Sequence, residues 1–506
     1  MKAVLNPAAV PAVLLAVLLA APPGASQELN DPSRSAGRGD VHSPGWKKVE
    51  ELKGPPLSPR FPRIGEEIRR EVLPNGLVVY LREDSRLPLL RAELIVKAGS
   101  YQEAPGKLEL ASFTASQLRE GGTEKMDALA LSERLAFLAA NLSANAGEET
   151  SAVSLDILSQ HLEEGLALFA DVVLRPAFAA ERLDLARRSR LFALRHRNDS
   201  PARILGRELD KLLYTAGHPR GRETRPEDIQ AIGREDLVEF HRRFFSPDRA
   251  YLAVVGDFKA GEMLTRIQSL FGGWKRSGEP LPPLPAAKPV PRPGTYVVDR
   301  DLNQSNLAIA HWGTDRSNPD RFAIHLMNAV LGGGSFSSRI TERVRSDEGL
   351  AYSARSQYAT SDREVGLFLA TAQTRTETTV KALRSIVEEI EKIRSSGISE
   401  NEFRTAKESL LHSYLFRFED PVENVIQLLR LEVDGLPADY YEAEFRGYQA
   451  VERADLERAA AKYLRPKDLT LFVVGKLSAF QEEISKLGEV HPLALQEFSI
   501  PESRKK

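Results

Sequence analysis

Two hydrophobic patterns alternate along this chain. In long stretches such as 179–197 and 376–395, apolar residues recur at helical spacing. Between such stretches lie short apolar runs rich in β-branched residues, such as LIVKAGS at 94–100, which are typical of core strands. The alternation predicts an α+β fold in which an antiparallel-rich sheet carries helices packed on one face.

The pattern occurs twice. The stretch REDLVEFHRRFFSPDRAYLAVVGDF beginning at Arg234 recurs as RADLERAAAKYLRPKDLTLFVVGKL beginning at Arg453, and Gly475 lies 219 positions after Gly256. Each copy predicts an amphipathic helix, a turn at proline and a core strand that closes on glycine. A looser match pairs LIVKAGS with LAIAHWGT at 307–314. The sequence therefore predicts two homologous domains.

A proline-rich segment separates the two copies. Its sequence is EPLPPLPAAKPVPRPG at 279–294, and its prolines favour an extended, semi-rigid tether. The predicted boundaries are a signal peptide at 1–26, a polar N-terminal arm at 27–64, an N-terminal domain at 65–275, a Pro-rich linker at 276–294, a C-terminal domain at 295–490 and a tail at 491–506.

Composition narrows the class of protein. Hydrophobic residues make up 42% and charged residues 28% of the chain, as in ordinary globular proteins. The formal net charge of −2 gives no electrostatic basis for binding nucleic acid or anionic lipid. The chain has no cysteine, so disulfides and thiol chemistry play no part in it.

The first residues, MKAVLNPAAVPAVLLAVLLAAPPGAS, predict export. One positive charge precedes a short apolar stretch, and small residues follow it, as in a secretory signal peptide. The alternative is a membrane anchor, but the prolines at 7 and 11 and the shortness of the apolar run disfavour a stable span. We expect an exported, periplasmic protein with no membrane attachment after cleavage.

Several segments together resemble the insulinase-like (pitrilysin, M16) peptidase family. EVLPNGLVVYLREDSRLPLLRAELIVKAGSYQE at 71–103 is similar to the opening strands of that family, and the likeness continues to residue 258. LGGGSFSSRITERVRSDEGLAYSARS at 331–356 carries the likeness into the second half. The resemblance covers nearly all of 65–480. It implies the two-domain fold of this family and a relation to metalloendopeptidases.

The family's zinc motif is missing. Catalytic members carry H-x-x-E-H, in which two histidines bind Zn²⁺ and the glutamate activates water. By the resemblance, Ser112 and Ser116 stand at the histidine positions and Ala115 at the glutamate position. These residues neither bind zinc well nor accept a proton.

A third zinc ligand, a downstream glutamate, is also absent by the resemblance. Phe192 and Ala193 occupy its expected place, on a helix whose arginines at 187, 188 and 190 would repel a cation. The sequence therefore predicts no cofactor in this chain. The nine histidines are too scattered to suggest another zinc site.

One element of the family's catalytic apparatus is present. Active members use an arginine and a tyrosine, seven residues apart, to hydrogen-bond the substrate and the developing oxyanion. Arg345 and Tyr352 have this spacing. The local sequence predicts a glycine-rich turn at 332–334, a helix from about Ser337 and a stop at Gly349, with Tyr352 opening the next strand. By spacing alone, an exposed Arg and a half-buried strand Tyr are the better explanation, but the surrounding GGG…R…GLAY pattern favours the functional one.

The combination suggests a non-catalytic subunit. In two-chain members of the family a zinc-bearing chain supplies metal and base, and its partner supplies the arginine and tyrosine across a chamber. We expect a heterodimer with a homologous zinc-bearing peptidase subunit that acts on peptide substrates. Gly332, Gly333 and Gly334 are candidate substrate contacts, and His218 lies in a family loop near the chamber wall or in a plain turn. The alternative is a catalytically inert peptide-binding or structural protein.

Overall fold

The computed structural model describes residues 59–498, apart from 215, 284–286, 335–336 and 362–363. The predicted signal peptide and most of the predicted arm lie outside the described residues. The strands are β1 Arg69–Val72, β2 Val78–Glu83, β3 Leu89–Val96, β4 Asn141–Ala146, β5 Ser151–Leu158, β6 Ala250–Gly256, β7 Gly294–Asp299, β8 Gln304–Trp312, β9 Thr314–Asp315, β10 Ala351–Tyr358, β11 Thr360–Ser361, β12 Leu367–Arg375, β13 Thr470–Gly475 and β14 Val490–Pro492.

The helices alternate with these strands. They are α1 Leu110–Glu120, α2 Ala128–Phe137, α3 Leu162–Leu174, α4 Ala180–Arg195, α5 Pro201–Leu213, α6 Pro226–Ala231, α7 Arg234–Phe244, α8 Ala260–Phe271, α9 Arg321–Asn328, α10 Arg339–Thr341, α11 Thr379–Ser395, α12 Glu400–Phe416, α13 Pro421–Val433, α14 Tyr440–Ala450, α15 Arg453–Tyr463 and α16 Gln481–Ser485. Two π-helical turns, Ala329–Gly333 and Glu342–Asp347, follow α9 and α10. No helix in the described ranges has the length and apolar character needed to cross a bilayer.

Five strands of each six-stranded sheet follow the same topology, and the sixth differs, because β1 pairs with β2 in antiparallel and β14 pairs with β7 in parallel. Their strand orders are β1-β2-β6-β3-β5-β4 and β10-β12-β8-β13-β7-β14. In each sheet a parallel pair, β2 with β6 or β7 with β13, is followed by three antiparallel strands. The α+β prediction of two homologous, antiparallel-rich sheets is confirmed.

The 219-residue repeat builds the same unit in each half. Helix α7 begins at Arg234 and α15 begins at Arg453, and each leads through a 3₁₀ turn at proline into a central strand, β6 or β13. The repeated Asp236 accepts a hydrogen bond from the Gly233 amide at 2.8 Å, and Asp455 accepts one from the Glu452 amide at 2.9 Å. A carboxylate at this position satisfies an amide at the helix start, which explains why both copies retain it.

Each sheet is also covered by a helix from the other half. The main core of the N-terminal half lies between one sheet face and helices that include α1, α3, α7 and α8. On the C-terminal sheet, Ile204 and Leu209 of α5 pack against Ala308 and Phe472. Helix α13 in turn lies against β2 and β6 of the N-terminal sheet. Each sheet thus has its own helices on one face, as predicted, and a helix from the other half, α5 or α13, on the opposite face.

The ends of the described chain differ from the predicted arm and tail. Phe61, in the predicted arm, is half-buried and contacts the rings of Tyr414, Phe418 and Phe445 in the C-terminal half. In the predicted tail, β14 includes His491 and Pro492 and pairs in parallel with β7. Both segments pack because their apolar residues find partners that the local sequence pattern does not reveal.

Candidate functional site

A cavity of about 610 Å³ lies between α1, β4 and α4, and we name it the N-half cavity. Small and polar side chains from one face of each helix form its walls. Its lining residues are Ser112, Phe113, Ser116, Arg119, Glu120, Ala144, Asn145, Ala146, Arg182, Leu185, Ala186, Ser189, Arg190 and Ala193.

The structure brings together three of the positions singled out from the sequence. Ser112, Ser116 and Ala193 line the N-half cavity. Ala115, on the inner face of α1, is fully buried. The Ser116 hydroxyl donates to the Phe113 carbonyl oxygen at 3.1 Å. Of the two candidates for the third position, Ala193 faces the cavity.

Phe192 points elsewhere, because it is the next residue around the helix and its side chain is 63% exposed. The expected repulsion by three arginines also needs correction. Arg190 lines the N-half cavity, whereas Arg187 donates to Asp184 and to the Ile232 carbonyl oxygen. Arg188 is exposed and lies outside the cavity lining.

The charges lining the N-half cavity are mainly positive. Arg119, Arg182 and Arg190 line it together with a single acidic residue, Glu120. Arg190 also pairs with Glu109 just outside the cavity. The guanidinium groups and nearby hydroxyls provide hydrogen-bond donors, so the walls favour an anion over a cation.

A smaller cavity of about 340 Å³ adjoins the first and shares Ser112, Ala146 and Arg190 with it. Glu103 lies on its wall and is only 7% exposed. Burial raises the pKa of Glu103 to about 7, although its carboxylate accepts a hydrogen bond from the Ala111 amide at 2.9 Å. Among the described residues, no three His, Cys, Asp or Glu side chains come together in a way that could hold a metal ion.

Arg345 and Tyr352 lie side by side in the C-terminal half. The Arg345 guanidinium carbon stands 4.9 Å from the centroid of the Tyr352 ring, a cation–π distance. Gly349 adopts a φ of +58° between them and ends the helical segment, as predicted. Tyr352 is 84% exposed. The pair therefore presents a guanidinium and a phenol together at the surface of this chain.

The turn that carries Arg345 is anchored by its neighbour Arg343. The Arg343 guanidinium donates to Glu348 at 2.9 Å and to Glu389 of α11 at 3.1 Å, and it also contacts Glu388. Because Glu389 is 3% exposed, its ion pair with Arg343 is shielded from solvent, whereas Glu388 is exposed. This ion pair fixes the turn of Glu342–Asp347 against α11.

The glycines at 332–334 do not open a helix. Gly332 and Gly333 belong to the π-helical turn that follows α9, and the next helix begins at Arg339. A Cβ atom on Gly332 would lie 2.6 Å from the Ser356 hydroxyl, so close packing against β10 explains this glycine. Gly333 and Gly334 border a cavity of about 450 Å³, the C-half cavity, between this turn and α12.

His218 has a role in packing. It is 4% exposed, its ring stacks on Tyr214 at 4.9 Å, and its Nε2 lies 3.0 Å from the Glu364 carboxylate of the other half. His218 therefore lies in a turn, as one of the two interpretations states, and it also forms a contact between the two halves. The next residue, Pro219, lines the smaller cavity of about 340 Å³.

Sequence reasoning missed several lining residues of the N-half cavity. Arg182, Ala186 and Ser189 face it from α4, beside the candidate Ala193. Their spacing of four, three and four residues is that of one helical face, so the periodicity carried the signal. Once Ala193 is placed at the cavity, this spacing selects the others.

The chain has recognisable relatives. Residues 78–221 match the family described as Insulinase (Peptidase family M16), and residues 231–410 match the Peptidase M16 inactive domain. The chain is 28% identical over 374 residues to an uncharacterized zinc protease of Mycobacterium leprae, covering 72% of this chain and 82% of the relative. It is 25% identical over 429 residues to the probable mitochondrial-processing peptidase subunit beta of Arabidopsis thaliana, covering 81% and 79%.

A solved structure has the same fold. The crystal structure of a peptidase M16 inactive domain from Pseudomonas fluorescens superposes with a TM-score of 0.72 at 25% identity, covering 81% of this chain and 97% of that one. The sequence matches span both halves of the chain, and the topology of the two sheets agrees with them. The chain therefore belongs to the insulinase-like (M16) peptidase family.

Proposed function

We propose that this chain is the non-catalytic subunit of an insulinase-like zinc peptidase and that a homologous partner carries the metal. The residues of the N-half cavity do not fit Zn²⁺. Ser112 and Ser116 offer only hydroxyls, Ala115 offers no base, and Arg119 and Arg190 bring positive charge. No catalytic step is therefore assigned to a metal in this chain.

The observation that carries the proposal is the adjacent pair of Arg345, which is half-buried, and Tyr352, which is exposed. A guanidinium keeps its charge and donates in a planar fork, and a phenol donates one hydrogen bond. Such donors stabilise the negative charge that develops on a carbonyl oxygen during peptide cleavage. Because Tyr352 is 84% exposed, the pair is accessible to a substrate held by a second subunit.

Further features support the partner, the substrate and the compartment. The relative from Arabidopsis is named as a subunit, which agrees with a multi-chain enzyme. Strand β4 stands at the edge of its sheet, where an extended peptide can add by backbone hydrogen bonds. Gly333 and Gly334, the candidate substrate contacts, border the C-half cavity. The signal-like first residues support export to the periplasm.

The test is reconstitution with a zinc-bearing homologue encoded near this chain. Neither chain alone should cleave a quenched fluorescent peptide, and the mixture should. Arg345→Ala or Tyr352→Phe should lower kcat about 10²–10³-fold, because each removes a donor used in the transition state. KM should change little, and size-exclusion chromatography should still show the complex.

Arg375→Ala is the matched control. Arg375 is an exposed arginine at the end of β12, and its loss should leave kcat unchanged. Unaltered kcat in the Arg345 and Tyr352 variants would favour the second candidate, an inert peptide-binding protein of the same fold. The shape and donors of the N-half cavity are the observation that favours this candidate.

A further inference from the structure

The N-half cavity contains arginine donors without protein acceptors. Within the described ranges the Arg119 guanidinium has no hydrogen-bond or ion-pair partner. Arg182 donates through Nε to the Glu120 carbonyl oxygen at 2.9 Å, and its two terminal nitrogens have no partner in the same part of the chain. Two guanidinium groups therefore have donors available at the wall of one cavity.

Neutral donors lie on the same walls. Ser112 of α1, Ser189 of α4 and Asn145 of β4 line the cavity with the arginines. A carboxylate has two oxygens that accept several hydrogen bonds, and the planar guanidinium matches it in geometry. Phosphate would be met by the same donors, but the neighbouring edge strand is suited to a peptide.

The C-half cavity shows that this charge is specific to the first copy. Helix α12 follows β12 and α11 in the same order in which α4 follows β5 and α3. Yet the described residues that line the C-half cavity include Glu342 and Glu402 and no arginine. The charged residues lining the cavity of one half are thus mainly arginines, whereas those lining the other are two glutamates, one of which, Glu402, is ion-paired with Arg339.

The position of the N-half cavity suggests the ligand. Ala144, Asn145 and Ala146 line it from β4, which is the edge strand of the sheet. An extended peptide lying along this edge would bring a side chain or its own terminus to the arginines. We propose that the N-half cavity binds a carboxylate carried by a peptide, which makes the chain selective for acidic or free C-terminal segments. This inference rests on the proposed function only in taking a peptide as the ligand.

Calorimetric titration of the full chain with three unlabelled peptides tests the inference. The parent peptide is neutral, with a central Gln and an amidated C-terminus. The second peptide has a free C-terminal carboxylate, and the third is amidated and has Glu in place of the central Gln. The amidated Gln peptide should bind about tenfold or more weakly than the tighter-binding of the two charged peptides, because it lacks the charge that the guanidinium groups meet. Whichever charged peptide binds more tightly, the one with the free C-terminus or the one with Glu, identifies the source of the carboxylate.

Variants locate the binding. Arg119→Ala and Arg182→Ala should each weaken binding of the carboxylate peptide about tenfold, and 0.5 M salt should weaken it further. Arg188→Ala, an exposed arginine on α4 outside the cavity lining, is the matched control and should bind as the wild type does. Thermal denaturation checks that each variant folds, and Arg119→Gln or Arg182→Gln replaces the corresponding alanine variant if that does not.

Three results would overturn the inference. They are equal binding of all three peptides, wild-type affinity in the Arg119 and Arg182 variants, and no binding of any peptide by the folded chain. None of them bears on Arg345 and Tyr352, because that test measures kcat in a complex with the partner. The two proposals therefore fail separately.

Discussion

Tyr352 is exposed because β10 contains one extra residue. Ala351 pairs with Thr374 and Ser353 pairs with Gln373, so Tyr352 has no partner across the ladder and forms a β-bulge. Both Tyr352 and Ser353 then face solvent, where strict alternation would bury one of them. The sequence predicts that Tyr352 begins a strand, but the bulge depends on the register with β12, which no local pattern contains.

The sequence predicts the residues at the N-half cavity only in part. Ser112 and Ser116 are placed by the resemblance and do line the cavity. The choice between Phe192 and Ala193 stays open in the sequence, because the resemblance does not fix the register to one residue and neighbouring helix positions differ by about 100°. The fold decides for Ala193.

Glu103 should make stability depend on pH near neutrality. Its pKa lies at about 7 in the folded chain, against 4.5 for an ordinary glutamate, because burial disfavours the charged form. The contribution of the protonated Glu103 side chain to the free energy of unfolding is therefore fully present below pH 4.5 and is lost as the pH rises through 7. We expect the free energy of unfolding of the wild type, relative to Glu103→Gln, to fall by on the order of 3 kcal/mol between pH 4.5 and 8.

Urea denaturation of both proteins at several pH values measures this difference. The amide side chain introduced by Glu103→Gln keeps an oxygen for the Ala111 amide, so the comparison isolates the charge. Glu124→Gln, a substitution at an exposed carboxylate, should follow the wild-type profile. Parallel profiles for the wild type and Glu103→Gln would contradict the prediction.

Helices α5 and α13 show what local sequence leaves undetermined about an element. Helix α5 begins with Pro201 after Ser200 and has an apolar stripe that includes Ile204, Leu205 and Leu209. These signals predict a helix with one buried face. They do not say which sheet that face covers, and the structure places it on the sheet of the other half.

The contact of α13 with the N-terminal sheet depends on Glu432. Its carboxylate accepts hydrogen bonds from Arg70 at 2.6 and 2.8 Å and from the Tyr80 hydroxyl, which together link the two halves. The hydrogen bonds from Arg70 lower the pKa of Glu432 against the opposing effect of burial. The group is thus charged at neutral pH and half-buried.

Glu432→Gln should lower the free energy of unfolding by about 1–3 kcal/mol at pH 7. The amide cannot accept both guanidinium hydrogen bonds and the phenol, so partly buried donors lose their acceptor. Denaturant titration measures the loss. Glu423→Gln, an exposed carboxylate on the same helix, serves as the control and should change stability by less than about 0.5 kcal/mol. Equal stability of both variants would mean that the apolar face of α13 alone holds the contact.

At the scale of the whole molecule, the repeat is the most informative signal. The constant offset between Gly256 and Gly475 predicts two homologous sheets, and five of the six strands in each have the same order. The predicted linker, 276–294, does lie between β6 and β7, but the two halves it joins are not separate bodies. The exchange of α5 and α13 combines them into one compact unit, and this depends on contacts far apart in the sequence.

This exchange predicts that the two halves unfold together and do not fold separately. A fragment of 59–275 lacks α13, and a fragment of 290–498 lacks α5, which covers Trp312, Phe472 and Val474. Each isolated fragment would expose an apolar sheet face to water, which is unfavourable by about 25 cal/mol for each Å² exposed.

We therefore expect a single cooperative transition for the full chain in scanning calorimetry. We expect each fragment alone to bind a hydrophobic dye and to lack a sharp transition, and the mixed fragments to regain one. Cleavage of an inserted protease site between 279 and 283 is the control, since the nicked halves should stay associated through α5 and α13. Two well-separated transitions in the intact chain, or a sharp transition in either isolated fragment, would show that each sheet is stable without the helix donated by the other half.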